Sequence, residues 1–195
     1  MKIFLDVGAH IGQTLEEVIR PEHGFDKIHA FEPSSVAYKN LDSYRSNSVE
    51  LHQIGLSNRS GSVMLYDTGT DAASVYEDKV DLIHRHHVET IQLQEASQWI
   101  IEHTQPDDTI YMKLNCEGSE CDIIENLIQT GVYDRISYIM IDFDVRKIPS
   151  QIHRQHEILT MLNGKRNFNV SNDVMIGPTH QDRTRNWLSL CSNAS

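Results

Sequence analysis

The stretch Lys2-Ile3-Phe4-Leu5-Asp6-Val7-Gly8-Ala9-His10-Ile11-Gly12 decides how the rest of the chain is read. A short apolar run that ends in two spaced glycines is the pattern of a buried strand entering a tight turn. Periodicity then predicts a helix over about Gln13–Arg20, closed by Pro21. The alternation repeats. Lys27–Phe31 reads as a second strand, and Ser34 or Ser35 caps a helix with Val36, Tyr38 and Leu41 turned inward. Val49–Leu56 reads as a third strand, followed by the turn residues Asn58-Arg59-Ser60-Gly61 and by Ser62–Tyr66 in a hairpin-like pair. Thr68–His87 is a polar loop with room for one short helix. Glu89–Leu93 is strand-like, Leu93–His103 is a helix with Trp99 and Ile100 on its apolar face, and Thr109–Leu114 is an apolar strand. Glu120–Gln129 and Gln151–Leu162 read as helices stopped by Gly131 and Gly164, with the strand Ser137–Phe143 between them. Strands near Phe168–Val170 and Trp187–Cys191 finish the reading. Such alternation predicts an α/β fold, a mostly parallel sheet with helices on both faces and ligand sites beyond the carboxyl ends of its strands.

Bulk properties narrow the class. The 195 residues suit one domain over 1–195, and 39% hydrophobic with 23% charged residues is the balance of a folded globular chain. Seventeen Lys+Arg against 28 Asp+Glu leave a net charge of −11, which argues against nucleic acid or an anionic membrane as the main partner. No apolar run is long enough to span a bilayer. Cys116, Cys121 and Cys191 are odd in number and lack zinc-ligand spacing, which fits apolar thiols in a reducing, cytoplasmic compartment.

The first turn carries the chemistry. Its pattern is D-x-G-x-x-x-G, from Asp6 through Gly8 to Gly12, and not the G-x-G-x-x-G of dinucleotide binders. A carboxylate there would repel a diphosphate laid against the turn. It suits a ligand with an ammonium and a sulfonium group, and S-adenosylmethionine is such a ligand. Glu32, at the end of the second strand and twenty residues beyond Gly12, is placed to accept both hydroxyls of a ribose. A nicotinamide-dependent oxidoreductase is disfavoured, because position 10 is His and no Tyr-x-x-x-Lys pair occurs.

At these residues the chain resembles the FkbM-type S-adenosylmethionine-dependent methyltransferases. Asp6–Gly12 with Gln13 and Thr14 resembles the family's cofactor loop, and Ala30-Phe31-Glu32-Pro33-Ser34 its second-strand acid. Gly55-Leu56-Ser57-Asn58 with Val63-Met64-Leu65-Tyr66 is similar to its third strand and hairpin, Ala73-Ser74 to a small–Ser pair, and Thr90-Ile91-Gln92-Leu93 to the approach to its fourth strand. The most specific likeness is Lys113-Leu114-Asn115-Cys116-Glu117-Gly118-Ser119-Glu120 to K-I-D-V-E-G-x-E, with Asn115 where the family has Asp. The resemblance implies a Rossmann-like class I methyltransferase fold with a final antiparallel strand. It implies S-adenosylmethionine bound by Asp6, Gly8, Ala9, His10, Gly12, Gln13, Thr14, Glu32, Pro33, Ser57 and Asn115. It also implies a small hydroxylated acceptor, a sugar or secondary metabolite. The first strand begins almost at Met1, so either the cleft is open or a second subunit of a homo-oligomer covers it. Asn115 and that start also support a rival reading, a non-catalytic module that keeps the cofactor fold.

Methylating a hydroxyl needs alignment of acceptor and methyl and a base for the proton. The carboxyl ends of the later strands offer Glu117 and Asp142, with Lys113 on the side of Asn115 and Glu117 by strand alternation. With Asn115 unable to take a proton, Glu117 is the expected base, and a Lys113–Glu117 or Lys113–Asp142 ion pair is the structural alternative. The position of an Asn/Asp-Pro-Pro-aromatic motif of amine methylation reads Asn115-Cys116-Glu117-Gly118, which favours oxygen. The run His84-Arg85-His86-His87 has no ligand spacing to other acids or thiols, so no metal site is expected.

Overall fold

In the computed structural model, which describes residues 1–165, 168–170 and 176–193, the opening apolar run forms strand β1 (Lys2–Val7). It lies between β2 (Lys27–Phe31) and β7 (Thr109–Leu114), and the sheet continues through β3 (Val49–His52) on one side and β8 (Ile136–Ile141) and β9 (Phe168–Val170) on the other. Every pairing in this six-stranded sheet is parallel. Between the strands run α1 (Leu15–Val18), α2 (Ser35–Tyr38), α3 (Ala96–His103), α4 (Glu120–Gln129) and α5 (Arg154–Leu162), and α6 (His180–Asn193) follows β9. A smaller sheet joins β4 (Gly55–Ser57), β6 (Val88–Glu95) and β5 (Gly61–Tyr66), with β6 in the middle.

The period-2 alternation of β1 splits the core. Ile3, Leu5 and Val7 pack with Met112, Leu114 and Trp99 on one face, while Phe4 packs with Ile28, Tyr111 and Trp187 on the other. At the β2–β3 edge, Trp99 stands edge-on to His29 and Phe31, and Phe31 stacks on His52. Burial holds the His29 imidazole down at about 4 and lowers His52 as well, so both rings are neutral at pH 7.

The structure corrects four expectations. Val49–Leu56 is two strands, because the chain leaves the large sheet after His52 and Gly55–Ser57 pairs in parallel with β6. Ser62–Tyr66 pairs antiparallel with β6 rather than with the third strand. Val36 is exposed, while Tyr38 and Leu41 do pack inward. Trp187–Cys191 is no strand but part of α6, and among the described residues the large sheet has no antiparallel strand. The buried positions Thr184, Trp187, Leu188 and Cys191 follow the i, i+3, i+4, i+7 rule of a helix face, a period that a five-residue window conceals. No described helix is long and apolar enough to cross a membrane.

Trp187 is fully buried against Phe4 and Tyr111. Trp187→Ala is therefore expected to cost about 3–5 kcal/mol in urea unfolding, whereas Leu190→Ala, on the exposed face of the same helix, should change stability by no more than about 0.5 kcal/mol. Equal effects at the two positions would contradict the helical register.

Candidate functional site

The turn after β1 is built on the end of β2. The amides of Gly8 and Ala9 both donate to the Phe31 carbonyl at 3.0 Å, and the amide of His10 donates to Glu32 Oε2 at 2.9 Å. Glu32 Oε1 accepts from the Ser34 amide at 2.8 Å. Gly8 takes φ +82°, and a Cβ there would lie 1.8 Å from the Asn115 carbonyl oxygen, so only glycine fits. His10 itself sits at φ +48°, an uncommon conformation for a residue with a side chain. Burial pushes the Glu32 carboxyl up to about 7, against the pull of its two backbone donors.

Asp6 and Lys113 are direct neighbours in the β1–β7 register. The Lys113 ammonium donates to Asp6 Oδ1 at 3.0 Å and to the Gly8 carbonyl at 2.8 Å, and both side chains are buried. The pair expected for Lys113 was Glu117 or Asp142; cross-strand register selects Asp6 instead. Lys113 is thus a tie between strand and turn.

A cavity of about 340 Å³ opens at the carboxyl ends of β1, β2, β7 and β8, within the size range of small-ligand sites. Of the residues expected to hold a cofactor, Gly8, Ala9, His10, Gln13, Thr14, Glu32, Pro33 and Asn115 line it. Asp6, Gly12 and Ser57 do not. Asp6 lies behind the turn on Lys113, Gly12 packs under the Tyr44 ring, and Ser57 is buried in β4. Asn115 is among the residues that line the cavity, and its Oδ1 is a buried acceptor with no hydrogen-bond partner.

The expected catalytic residues Lys113, Glu117 and Asp142 all line the cavity. Glu117 stands at φ +53° and Gly118 at φ +117°, a turn held from below by Glu120, whose Oε1 accepts from the Cys116 and Gly118 amides at 3.0 and 3.1 Å. Glu117 Oε2 lies 2.8 Å from Lys79 and 3.7 Å from Lys147. Lys79 also meets Asp81, and Lys147 meets Asp81 and Asp144. Burial and the neighbouring Asp144 push Glu117 up to about 7 against the pull of both lysines. Asp142 pairs with Arg146 at 3.4 Å. Asp144 in turn pairs with Arg146 at 3.1 Å and Lys147 at 2.9 Å, so both acids have cations of this chain beside them.

Two contributions escaped the sequence reading. The loop 68–87 is a cover over the cavity: Ser74 Oγ donates to the Glu117 carbonyl, Tyr76 to Asp122, and the amides of Ile83 and His84 to Asp67. It supplies Thr70 through Val75 to the lining and the fully buried Lys79 to Glu117. The second is His180, which α6 places in the lining near Lys113 and Asp142. Burial, reinforced by Lys113 and Arg183, lowers its pKa and keeps it neutral at pH 7. Reading 187–191 as a strand hid it, since only a helix over 180–193 brings this residue to the cavity.

Comparison with known proteins bears on the family and the fold. Residues 6–170 match the family model described as methyltransferase FkbM domain. A crystal structure described as methyltransferase FkbM from Methylobacillus flagellatus KT superposes with a TM-score of 0.50 at 16% identity, over 82% of this chain and 37% of that one. The likeness shows the fold, and this chain spans little more than a third of that relative's length. No curated protein matches the sequence.

Glu120 is fully buried, and burial pushes its carboxyl up to about 8 from an ordinary 4.5. Between those two values the folded protein holds a proton that the unfolded chain releases, so stability falls as pH rises from about 4.5 to about 8. Glu120→Gln keeps an oxygen for both amides and removes the ionisation. Urea midpoints followed from pH 5 to pH 8 should fall less steeply in the variant, with Glu32 and Glu117 retaining the rest of the slope. An unchanged slope would show that Glu120 does not carry it.

Proposed function

The chain belongs to the FkbM methyltransferase family, and from that premise we propose that it moves a methyl group from S-adenosylmethionine to a hydroxyl of a small acceptor, a sugar or secondary metabolite, in the cytoplasm. The observation that carries the reading is the meeting, in one cavity, of the second-strand acid Glu32 with the unpartnered buried oxygen of Asn115. Both are acceptors, and they suit a ligand that brings ribose hydroxyls and an ammonium group. Glu32 would hold the ribose, Asn115 the ammonium, and the turn Gly8–His10 would form the wall between them. When bound, S-adenosylmethionine supplies an electrophilic methyl group on a sulfonium. A diphosphate has less to bind here, because the amides of Gly8, Ala9 and His10 are already committed to Phe31 and Glu32.

The chain's own residues set the rest of the chemistry. Glu117, poised near neutrality at the cavity wall, takes the acceptor's proton at its carboxylate. Lys79 and Lys147 fix that carboxylate in place. The loop 68–87 excludes water from the same corner, through its bonds to the Glu117 turn. His180 is neutral and lines the cavity, so it is the next group able to accept a proton.

Two measurements test this. Titration calorimetry with S-adenosylhomocysteine should show binding that Glu32→Ala weakens by about 1–3 kcal/mol; unchanged affinity would remove Glu32 from the site. In a mass-spectrometric screen of hydroxylated acceptors, Glu117→Gln should lower turnover roughly 10²–10⁴-fold, with cofactor affinity nearly constant. Wild-type turnover should rise with pH through about 7 as Glu117 loses its proton. Near-normal turnover in Glu117→Gln would move the search to His180 and Asp142.

A further inference from the structure

The histidines that adjacency brings to notice, His84, His86 and His87, lie exposed in the cover loop. Among the described residues, the ligand atoms that converge belong to a different group, on the edge of the large sheet. We propose that His29, Glu50 and His52 form a binding site for one divalent transition-metal ion of the zinc class.

The β2–β3 register sets Glu50 beside His29 and His52 two residues further along the same face. His29 Nδ1 lies 3.1 Å from His52 Nε2 and 3.7 Å from Glu50 Oε2, and one ligand atom from each residue falls within 4.8 Å of the other two. Zinc held at about 2.0–2.1 Å in a tetrahedron sets its ligand atoms roughly 3.3–3.4 Å apart. The site thus needs only small side-chain shifts to close on an ion. Two imidazoles and a carboxylate are a borderline-soft set that favours zinc or cobalt over calcium or magnesium.

The surroundings are those of a held site. Lys27 Nζ grips Glu50 Oε1 at 2.8 Å, which leaves Oε2 for the ion and orients the carboxylate. Trp99 packs edge-on to His29 at 5.0 Å between ring centres, and Phe31 stacks on His52 at 4.8 Å, so the ring planes are set by the core. β3 is the edge strand and the Glu50 side chain is 47% exposed, which gives an ion entry and leaves the fourth position to water. Phe31 also lines the cavity, so an ion here would stiffen the end of β2 that carries Glu32. The expectation of no metal rested on neighbours in sequence; these ligands come from two strands.

The test uses the untagged full chain, freed of metal by chelator and titrated with Co²⁺ by visible absorption and with Zn²⁺ by calorimetry. One equivalent should bind, with Co²⁺ bands of a four- or five-coordinate site. His52→Ala and Glu50→Gln should each weaken binding by more than the roughly 10–100-fold that loss of an outer partner costs. A variant with Ala at positions 84, 86 and 87 should bind normally. Glu50 is a half-exposed edge residue, so Glu50→Gln decides the matter even if His52→Ala folds poorly. Absence of stoichiometric binding, affinity unchanged in Glu50→Gln, or loss of binding in the triple variant would each overturn the site.

Discussion

Two backbones leave β1 and β7 so close together that no side chain fits at residue 8. A Cβ on Gly8 would stand 1.8 Å from the carbonyl oxygen of Asn115, and the Asn115 amide donates to the Val7 carbonyl at 3.1 Å. The mouth of the sheet is organised around this contact. It lets the first turn fold back on Phe31 and Glu32, and it brings Asn115 and Glu117 to the same cavity as His10. The Asp6–Lys113 pair locks the arrangement from behind, because Lys113 holds both a carboxylate on β1 and the Gly8 carbonyl. A buried pair of this kind contributes little net stability, but removing one partner strands a charge and costs about 3–5 kcal/mol. Its value here is geometric: it fixes where the turn begins.

Around that mouth the chain concentrates carboxyls that are wholly or largely buried. Glu32, Glu117 and Glu120 are all raised by burial, to about 7, 7 and 8. Their partners differ, and so do their uses. Glu32 spends both oxygens on backbone amides and still lines the cavity. Glu120 lies out of reach of the cavity lining and holds up the turn. Glu117 pairs directly with the buried Lys79 beside a second acid, Asp144, in a left-handed backbone conformation that the surrounding bonds must maintain. The cover loop does so, with Ser74 on the Glu117 carbonyl and Lys79 on its carboxylate. A loop that reads as merely polar in sequence is therefore part of the site's electrostatics.

Local patterns carried most of the framework. The apolar runs at 2–7, 27–31 and 109–114 are short and bounded by turn signals, as buried strands are, and their order in the chain, with helices between, favours parallel pairing. Gly8 and Glu32 were legible too: a tight turn after a strand needs glycine, and an acid at the second strand's end, twenty residues beyond Gly12, is placed to accept ribose hydroxyls. The late helix was not legible, because Trp187, Leu188 and Cys191 fit either period over five residues and only packing against Phe4 and Tyr111 chooses between them.

The sequence by itself determined the alternation of elements, the glycine turn, the second-strand acid and the likeness around Lys113–Glu120. Tertiary structure decided the partners. Strand register gave Asp6 to Lys113 and set His29 beside Glu50 and near His52, the fold of the 68–87 loop gave Lys79 to Glu117, and the packing of α6 gave His180 to the cavity. Each of these contacts joins residues far apart in the chain. Periodicity tells which face a residue takes, but which distant residue shares that face depends on how strands align and helices pack, and that information lies in the folded whole.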